Sequence, residues 1–242
     1  MTRRRWIADI ATETTASLLG PQAEHLARVL RALPGTEADI VANGHVYRAS
    51  IATVSIEEVL FTLLEEIPSE QSLPVTLLLA IFKFDRMEWA IEKATELGVA
   101  TIVPVIARRT EKHLAQAADK RVERWRRIAQ EAAKQSRRAD IPIIEEPIAL
   151  PARLALSSTA QHILLAEDEH NTTLRQRIEA ALNASGSDIP NFEFAIGPEG
   201  GWTSEELTLF QKHQWQSASL GPRILRAETA AIATLAITAS LL

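Results

Sequence analysis

Apolar positions along this chain change their rhythm near residue 75. Before it, short apolar stretches at 39–42, 46–51 and 59–64 are separated by turn signals. Two of these are Pro34-Gly35 and Asn43-Gly44, the second a favoured pair for a tight hairpin. Leu26, Val29, Leu30 and Leu33 follow Pro21 at helical spacing, which predicts one helix among the strands. Residues 67–74, polar and holding Pro68 and Pro74, read as a linker. Beyond it, apolar runs at 75–82, 101–106, 141–144, 162–166 and 192–196 alternate with helical patterns. The first run is what a strand buried on both faces requires. Asp85 is placed to cap a helix carrying Ala90, Ile91, Ala94 and Leu97, ended by Gly98. The pattern predicts an α/β domain with a mainly parallel sheet over 71–242, preceded by a small β-rich module over 1–70.

Composition narrows the chemistry. The 242 residues are 46% apolar and 24% charged, with a formal charge of −5, as in ordinary folded soluble proteins. There is no cysteine, which excludes disulfides, cysteine zinc sites and thiol nucleophiles. The start is basic (Arg3, Arg4, Arg5), but no apolar core of signal-peptide length follows it. No apolar run is long enough to span a bilayer, so a cytoplasmic protein without membrane contact is expected. The six histidines show no ligand spacing, so no metal site is expected, and no Gly-x-Ser-x-Gly elbow occurs.

In a parallel sheet, ligands bind in loops at the carboxyl ends of the strands. Two such loops carry unusual residues. Gly197-Pro198-Glu199-Gly200-Gly201 follows the 192–196 strand, and Thr203 with Glu206 makes a capping box for the next helix. Its glycines let a ligand approach main-chain groups, or they serve only a tight turn. The loop lacks the Gly-Lys-Ser/Thr ending of a phosphate cradle, and Glu199 would repel an anion, so a neutral or cationic ligand fits better. The second loop, 220–226, places Arg223 and Arg226 near Glu228 and Thr229 at the start of a final apolar helix. Glu228 there also suits a plain helix start. A helix apolar on most of its circumference must be buried, within the domain or against a partner.

The third feature is basic. Lys120, Arg124, Arg127, Lys134 and Arg138 fall on one helical face, opposite an apolar stripe of Val122, Trp125, Ala129 and Ala132. Such a face is either solvated or, with Arg3, Arg4, Arg5, Arg28 and Arg31, a surface that tracks phosphates.

With both loops in this order, the sequence resembles the bacterial 16S ribosomal RNA uracil-N3 methyltransferases of the SPOUT superfamily, the RsmE family. The likeness rests on Gly197–Gly201, on residues 220–230, on 25–31 (His-Leu-Ala-Arg-Val-Leu-Arg), and on 85–88 with 96–99. It implies a PUA-like β-barrel for RNA contact, followed by an α/β domain whose last segment threads a trefoil knot, a rare exception to unknotted topology. It also implies S-adenosyl-L-methionine in that knot, a homodimer through the knotted domain and last helix, and 16S rRNA of the small ribosomal subunit as substrate. Cofactor binding is carried onto Leu165, Gly197, Glu199, Gly200, Gly201, Leu220, Gly221, Ile224, Leu225 and Thr229, and RNA contact onto Arg109 besides the basic residues above. Where the family usually shows Glu-Gln-x-Gly-Arg, this chain has Lys134-Gln135-Ser136-Arg137-Arg138, and Arg108 stands at a commonly acidic position.

Uracil N3 must lose its proton before or during attack, which calls for a base or for a cation that stabilises the imide anion. Arg226 is assigned that electrostatic role, with Glu228 orienting it. Two other readings stay open: a ribose 2′-O-methyltransferase of the same superfamily, and an RNA-binding module whose Gly-rich loops are only turns.

Overall fold

A computed structural model describes residues 5–69 and 71–242, so Arg3 and Arg4 lie outside the described residues. The chain divides into two compact units, one reaching Gln71 and joined by Ala133–Asp140, the other Ser72–Ala132 with Ile141–Leu242.

In the first unit, β1 (Arg5–Ile7), β2 (Ile10–Ala11), β3 (Thr15–Leu19), β4 (Glu37–Ala42), β5 (His45–Val54) and β6 (Glu58–Ile67) form one sheet, with α1 (Gly20–Glu24) after β3. The strand order is β1-β4-β5-β6-β3-β2. Its two ends are thus served by one short segment: Ala8 N donates to Val41 O and Asp9 N to Ser17 O, both at 2.9 Å. The sheet therefore curls on itself around Leu18, Ile40, Val59 and Phe61, all fully buried. Asn43 (φ 52°) and Gly44 (φ 81°) make the expected two-residue hairpin, with Ala42 opposite His45. The helix expected after Pro21 is shorter and differently phased. It passes into a π-turn at His25–Val29, where Leu30 N bonds His25 O, and ends with Arg31 in the left-handed region (φ 49°). The wider turn moves side chains off the helical face. Leu26 is buried, whereas Val29 and Leu33 are 65% and 69% exposed.

The second unit holds β7 (Leu73–Ala80), β8 (Val99–Ile106), β9 (Ile143–Ile144), β10 (Ile148–Ala149), β11 (Gln161–Leu165), β12 (Phe192–Ile196) and β13 (Gln216–Ala218). They lie parallel in the order β10-β8-β7-β12-β11-β13, with β9 also against β8. The helices are α2 (Phe84–Glu96), α3 (Lys112–Ala117), α4 (Val122–Ser136), α5 (Leu150–Leu154), α6 (Leu174–Ser185), α7 (Ser204–Lys212) and α8 (Ala227–Ala239). Alternation along β7 shows why its run is apolar throughout. Leu77 and Leu79 enter a core with Met87, Trp125, Ile178 and Leu235. Leu78 and Ala80 enter a second core on the other face, with Leu150, Phe210 and Trp215.

Asp85 is not the cap of α2. The cap position is Lys83, which makes no capping bond, and Asp85 sits in the first turn, where a carboxylate still favours the positive helix end. Gly98 (φ 93°) follows the helix as expected. Thr203 and Glu206 form both bonds of the capping box on α7. Helix α8 buries Ala231, Thr234, Leu235 and Thr238 and leaves Thr229, Ala236 and Ala239 exposed, so its apolar surface is only partly covered within the chain. Among the described residues, no helix is long and apolar enough to cross a membrane.

Candidate active site

Parallel strands gather the loops after β7, β11, β12 and β13 at one edge of the sheet. There the two loops singled out in the sequence wall a single cavity of about 870 Å³. Leu165, Ile196, Trp202, Ala218 and Ala227 form its inner wall and are each at most 9% exposed. Lys83, Arg223 and Arg226 line it from exposed positions, and Ile224 is 82% exposed. Loop 166–173 is tied to the second loop by Ser219, whose N–H donates to Thr172 O and whose carbonyl accepts from Leu174 N, each at 2.9 Å.

The first loop needs its glycines. Gly201 has φ 69°, and its N–H donates to Pro198 O at 2.8 Å. A Cβ at Gly197 would stand 3.1 Å from Trp202 Nε1, and one at Gly200 would stand 3.2 Å from Arg109 Cδ. Arg109 Nη1 donates to the carbonyl of Gly200 and, at 3.3 Å, to that of Trp202. The Glu206 carboxylate accepts from Arg108 N and from Thr203 N, both at 2.8 Å. The turn around Arg109 and the Gly-rich loop are therefore fixed together. In the second loop, Gly221 N donates to Ser219 Oγ at 3.1 Å.

Glu228 does not orient Arg226. It is buried, its Oε1 lies 3.9 Å from Arg86 Nε, and its Oε2 has no hydrogen-bond partner among the described residues. Arg86 also bonds Glu199 at 2.7 Å. No hydrogen bond or ion pair among the described residues joins Arg226 to Glu228. The reason is the helix start: Arg226 is the residue before the first turn of α8, and Glu228 is within that turn.

Of the residues assigned to cofactor binding, Leu165, Gly197, Glu199, Gly201, Leu220, Gly221, Ile224 and Leu225 line the cavity. Gly200 and Thr229 do not; Gly200 packs on Arg109, and Thr229 is exposed on α8. Lys83, Arg86, Glu167, Asp168 and Trp202, none of them assigned to the cofactor from the sequence, also line it. The same rule about carboxyl ends points to 83–86, separated by two residues from the end of β7, and to 166–168, directly after β11.

The basic residues assigned to RNA are mostly engaged within the chain. Arg124 makes two bonds to Glu88, at 2.6 and 2.7 Å, which raise its affinity for its proton. Arg138 bonds Asp140 at 2.9 Å and is nearly buried, and Arg28 pairs with Glu24 at 2.7 Å. Arg5 lies in a row of alternating charge across four strands, Arg5, Asp39, Arg48 and Glu65, and donates to the carbonyl of Arg137. Arg109 holds the Gly-rich loop, as above. Arg31 and Arg127 are exposed.

Residues 69–239 match the family model of the RNA methyltransferase domain. The ribosomal RNA small subunit methyltransferase E of Bacillus subtilis is 30% identical over 223 residues, covering 89% of this chain and 86% of that protein. The chain belongs to the ribosomal RNA small subunit methyltransferase E family. A second member, from Synechocystis, is 34% identical over 93% of this chain and 72% of its own length. Among solved structures, that of the Neisseria gonorrhoeae family member bound to S-adenosyl methionine superposes with a TM-score of 0.81 at 27% identity, covering 99% of this chain and 98% of that one.

Proposed function

We propose that this family member is an S-adenosylmethionine-dependent methyltransferase that modifies N3 of a uridine in 16S rRNA of the small ribosomal subunit. The observation that carries this reading is that loops 197–201 and 220–226, distant in sequence, wall one cavity. The cavity also suits the methyl donor chemically. Its inner wall is apolar, as an adenosine needs, and Glu167, Asp168 and Glu199 border it with carboxylates that favour a cationic sulfonium and ammonium. When bound, S-adenosylmethionine supplies an electrophilic methyl group.

The chain's own residues do the rest. Gly197, Gly201, Leu220 and Gly221 offer main-chain groups at close range, while Arg86 and Arg109 hold the first loop in place. Arg226, whose charge has no partner among the described residues, lies at the cavity wall and stabilises the imide anion of the uracil as N3 loses its proton. Alignment of donor and acceptor supplies most of the acceleration, up to roughly 7–11 kcal/mol for well-oriented groups.

The same reading takes the curled first unit as a PUA-like RNA-contact module and the 219–226 segment, bonded across loop 166–173, as the thread of a trefoil knot. The exposed strip of α8 suits a homodimer contact, and the cytoplasm suits the substrate. To test it, S-adenosylhomocysteine is titrated calorimetrically into the protein, and labelled S-adenosylmethionine is incubated with unmodified small-subunit particles. Label on uracil N3 supports the reading; label on a ribose 2′-oxygen, or no heat and no label, refutes it.

A further inference from the structure

We propose that Lys83, Arg223 and Ile224 grip the nucleotide to be methylated, the two cations on its phosphates and Ile224 against the extruded base; this rests on the reading just given. At about 870 Å³ the cavity is near the top of the roughly 300–1,000 Å³ that one small ligand occupies, and methyl transfer requires donor and acceptor in it together. Its polarity is graded. Leu165, Ile196 and Ala218 make a buried apolar inner end, whereas Lys83 and Arg223 line it from exposed positions.

Charge compensation sets these two cations, together with Arg226, apart from the paired ones. Arg86, in the same wall, is paired with Glu199, and Arg124 on α4 is held by both oxygens of Glu88. The side chains of Lys83 and Arg223 make no hydrogen bond or ion pair among the described residues, so their charge is free to act on a polyanion. Ile224 follows Arg223 directly and is the most exposed large apolar side chain among the described residues, at 82%. N3 is on the pairing edge, so the target base must leave its stack to react, and it then presents an apolar face in need of a neighbour. An isoleucine at the cavity wall, between two arginine-bearing positions, meets that need.

The test measures binding of the full chain to unmodified small-subunit RNA as a function of salt, for wild type, Lys83→Ala/Arg223→Ala and Arg124→Ala/Arg127→Ala. S-adenosylhomocysteine is titrated into each. The cavity pair is expected to flatten the dependence of log affinity on log salt by about 1.4, with S-adenosylhomocysteine affinity unchanged, and the α4 pair to flatten it by less. An unchanged slope for the cavity pair, or a matching loss of S-adenosylhomocysteine affinity, would overturn the assignment. Ile224→Ala is expected to raise the KM for RNA several-fold without altering oligomeric state; its dissociation into monomers would give Ile224 to a contact between two copies instead and sink its role here. Wild type that binds RNA but no S-adenosylhomocysteine would overturn the methyltransferase reading alone.

Discussion

The guanidinium of Arg86 bonds Glu199 at 2.7 Å and stands 3.9 Å from Glu228, so one side chain on α2 connects the Gly-rich loop to the first turn of the last helix. Three segments far apart in sequence meet at this cation. Glu228 is buried, and Arg86 is its one ionic neighbour among the described residues. Arg86→Ala is therefore expected to destabilise the fold by about 1–3 kcal/mol, the usual cost of a buried polar group left unsatisfied. Adding Glu228→Gln should recover part of that loss in urea denaturation, and a double variant no more stable than Arg86→Ala would show that Arg86 does not support Glu228.

Arg109 was expected at the RNA surface, but its side chain bonds the carbonyls of Gly200 and Trp202. Arg109→Ala should lower S-adenosylhomocysteine affinity while leaving the salt dependence of RNA binding as in wild type. The opposite result, a flatter salt dependence with unchanged S-adenosylhomocysteine titration, would return Arg109 to phosphate contact.

The glycines of the first loop make separate demands. Gly201→Ala forces an L-residue to φ 69° and should cost about 1–2 kcal/mol of stability. Gly197 needs space instead, because its Cβ would press on the Trp202 indole at 3.1–3.2 Å. Gly197→Ala should thus displace Trp202, a wall of the cavity, and weaken S-adenosylhomocysteine binding more than it lowers the melting temperature. Tryptophan fluorescence and calorimetry on both variants check the distinction.

What could be read from the sequence follows the range of the interactions. Strand β12 falls on the predicted 192–196, because a fully buried strand must be apolar at every position. The Thr203–Glu206 box and the Asn43-Gly44 hairpin are local, and each formed as its residues dictate. The first helix went astray because a π-turn adds a residue to one turn and moves Val29 out to solvent, a change that apolar spacing does not record. The basic face of α4 carries less free charge than its sequence suggests, for another reason. Arg124 is neutralised by Glu88, 36 positions earlier, a pairing set by how α2 and α4 pack. The two loops stand out in the sequence itself, but their common cavity, and the place of Lys83 and Arg86 in it, depend on strand order.

His162 sits away from the cavity, stacked on Trp215 with ring centroids 4.9 Å apart, and 3.8 Å from a Glu193 carboxylate that Arg153 holds at 3.0 Å. Burial pushes its pKa below the usual 6.5; Glu193 opposes this, and Arg153 and His213 add to it. Between the lowered folded value and 6.5 the unfolded chain binds more protons, so stability rises with pH there and is lost on acidification. The melting temperature should fall more between about pH 7 and about pH 5.5 in wild type than in His162→Gln. Equal losses in the two proteins would place the acid sensitivity elsewhere.

Arg226 differs from Arg86 in having no carboxylate within bonding distance among the described residues, although both line the cavity. A paired guanidinium has little field left for a developing anion, whereas an unpaired one beside the reacting base lowers the energy of the imide directly. Arg226→Ala should reduce kcat by about two to three orders of magnitude, the range seen when one donor to a developing anion is removed. S-adenosylhomocysteine affinity should stay nearly unchanged, because the proposed donor site consists of main-chain groups and the apolar wall. The uracil must also deprotonate without that cation, so the rate of the variant should climb with pH further into the alkaline range than that of wild type. Single-turnover methylation at saturating RNA, followed across pH, reads both effects. A normal rate, or a pH profile unmoved from wild type, would remove Arg226 from the chemistry and leave it a contact for the RNA backbone.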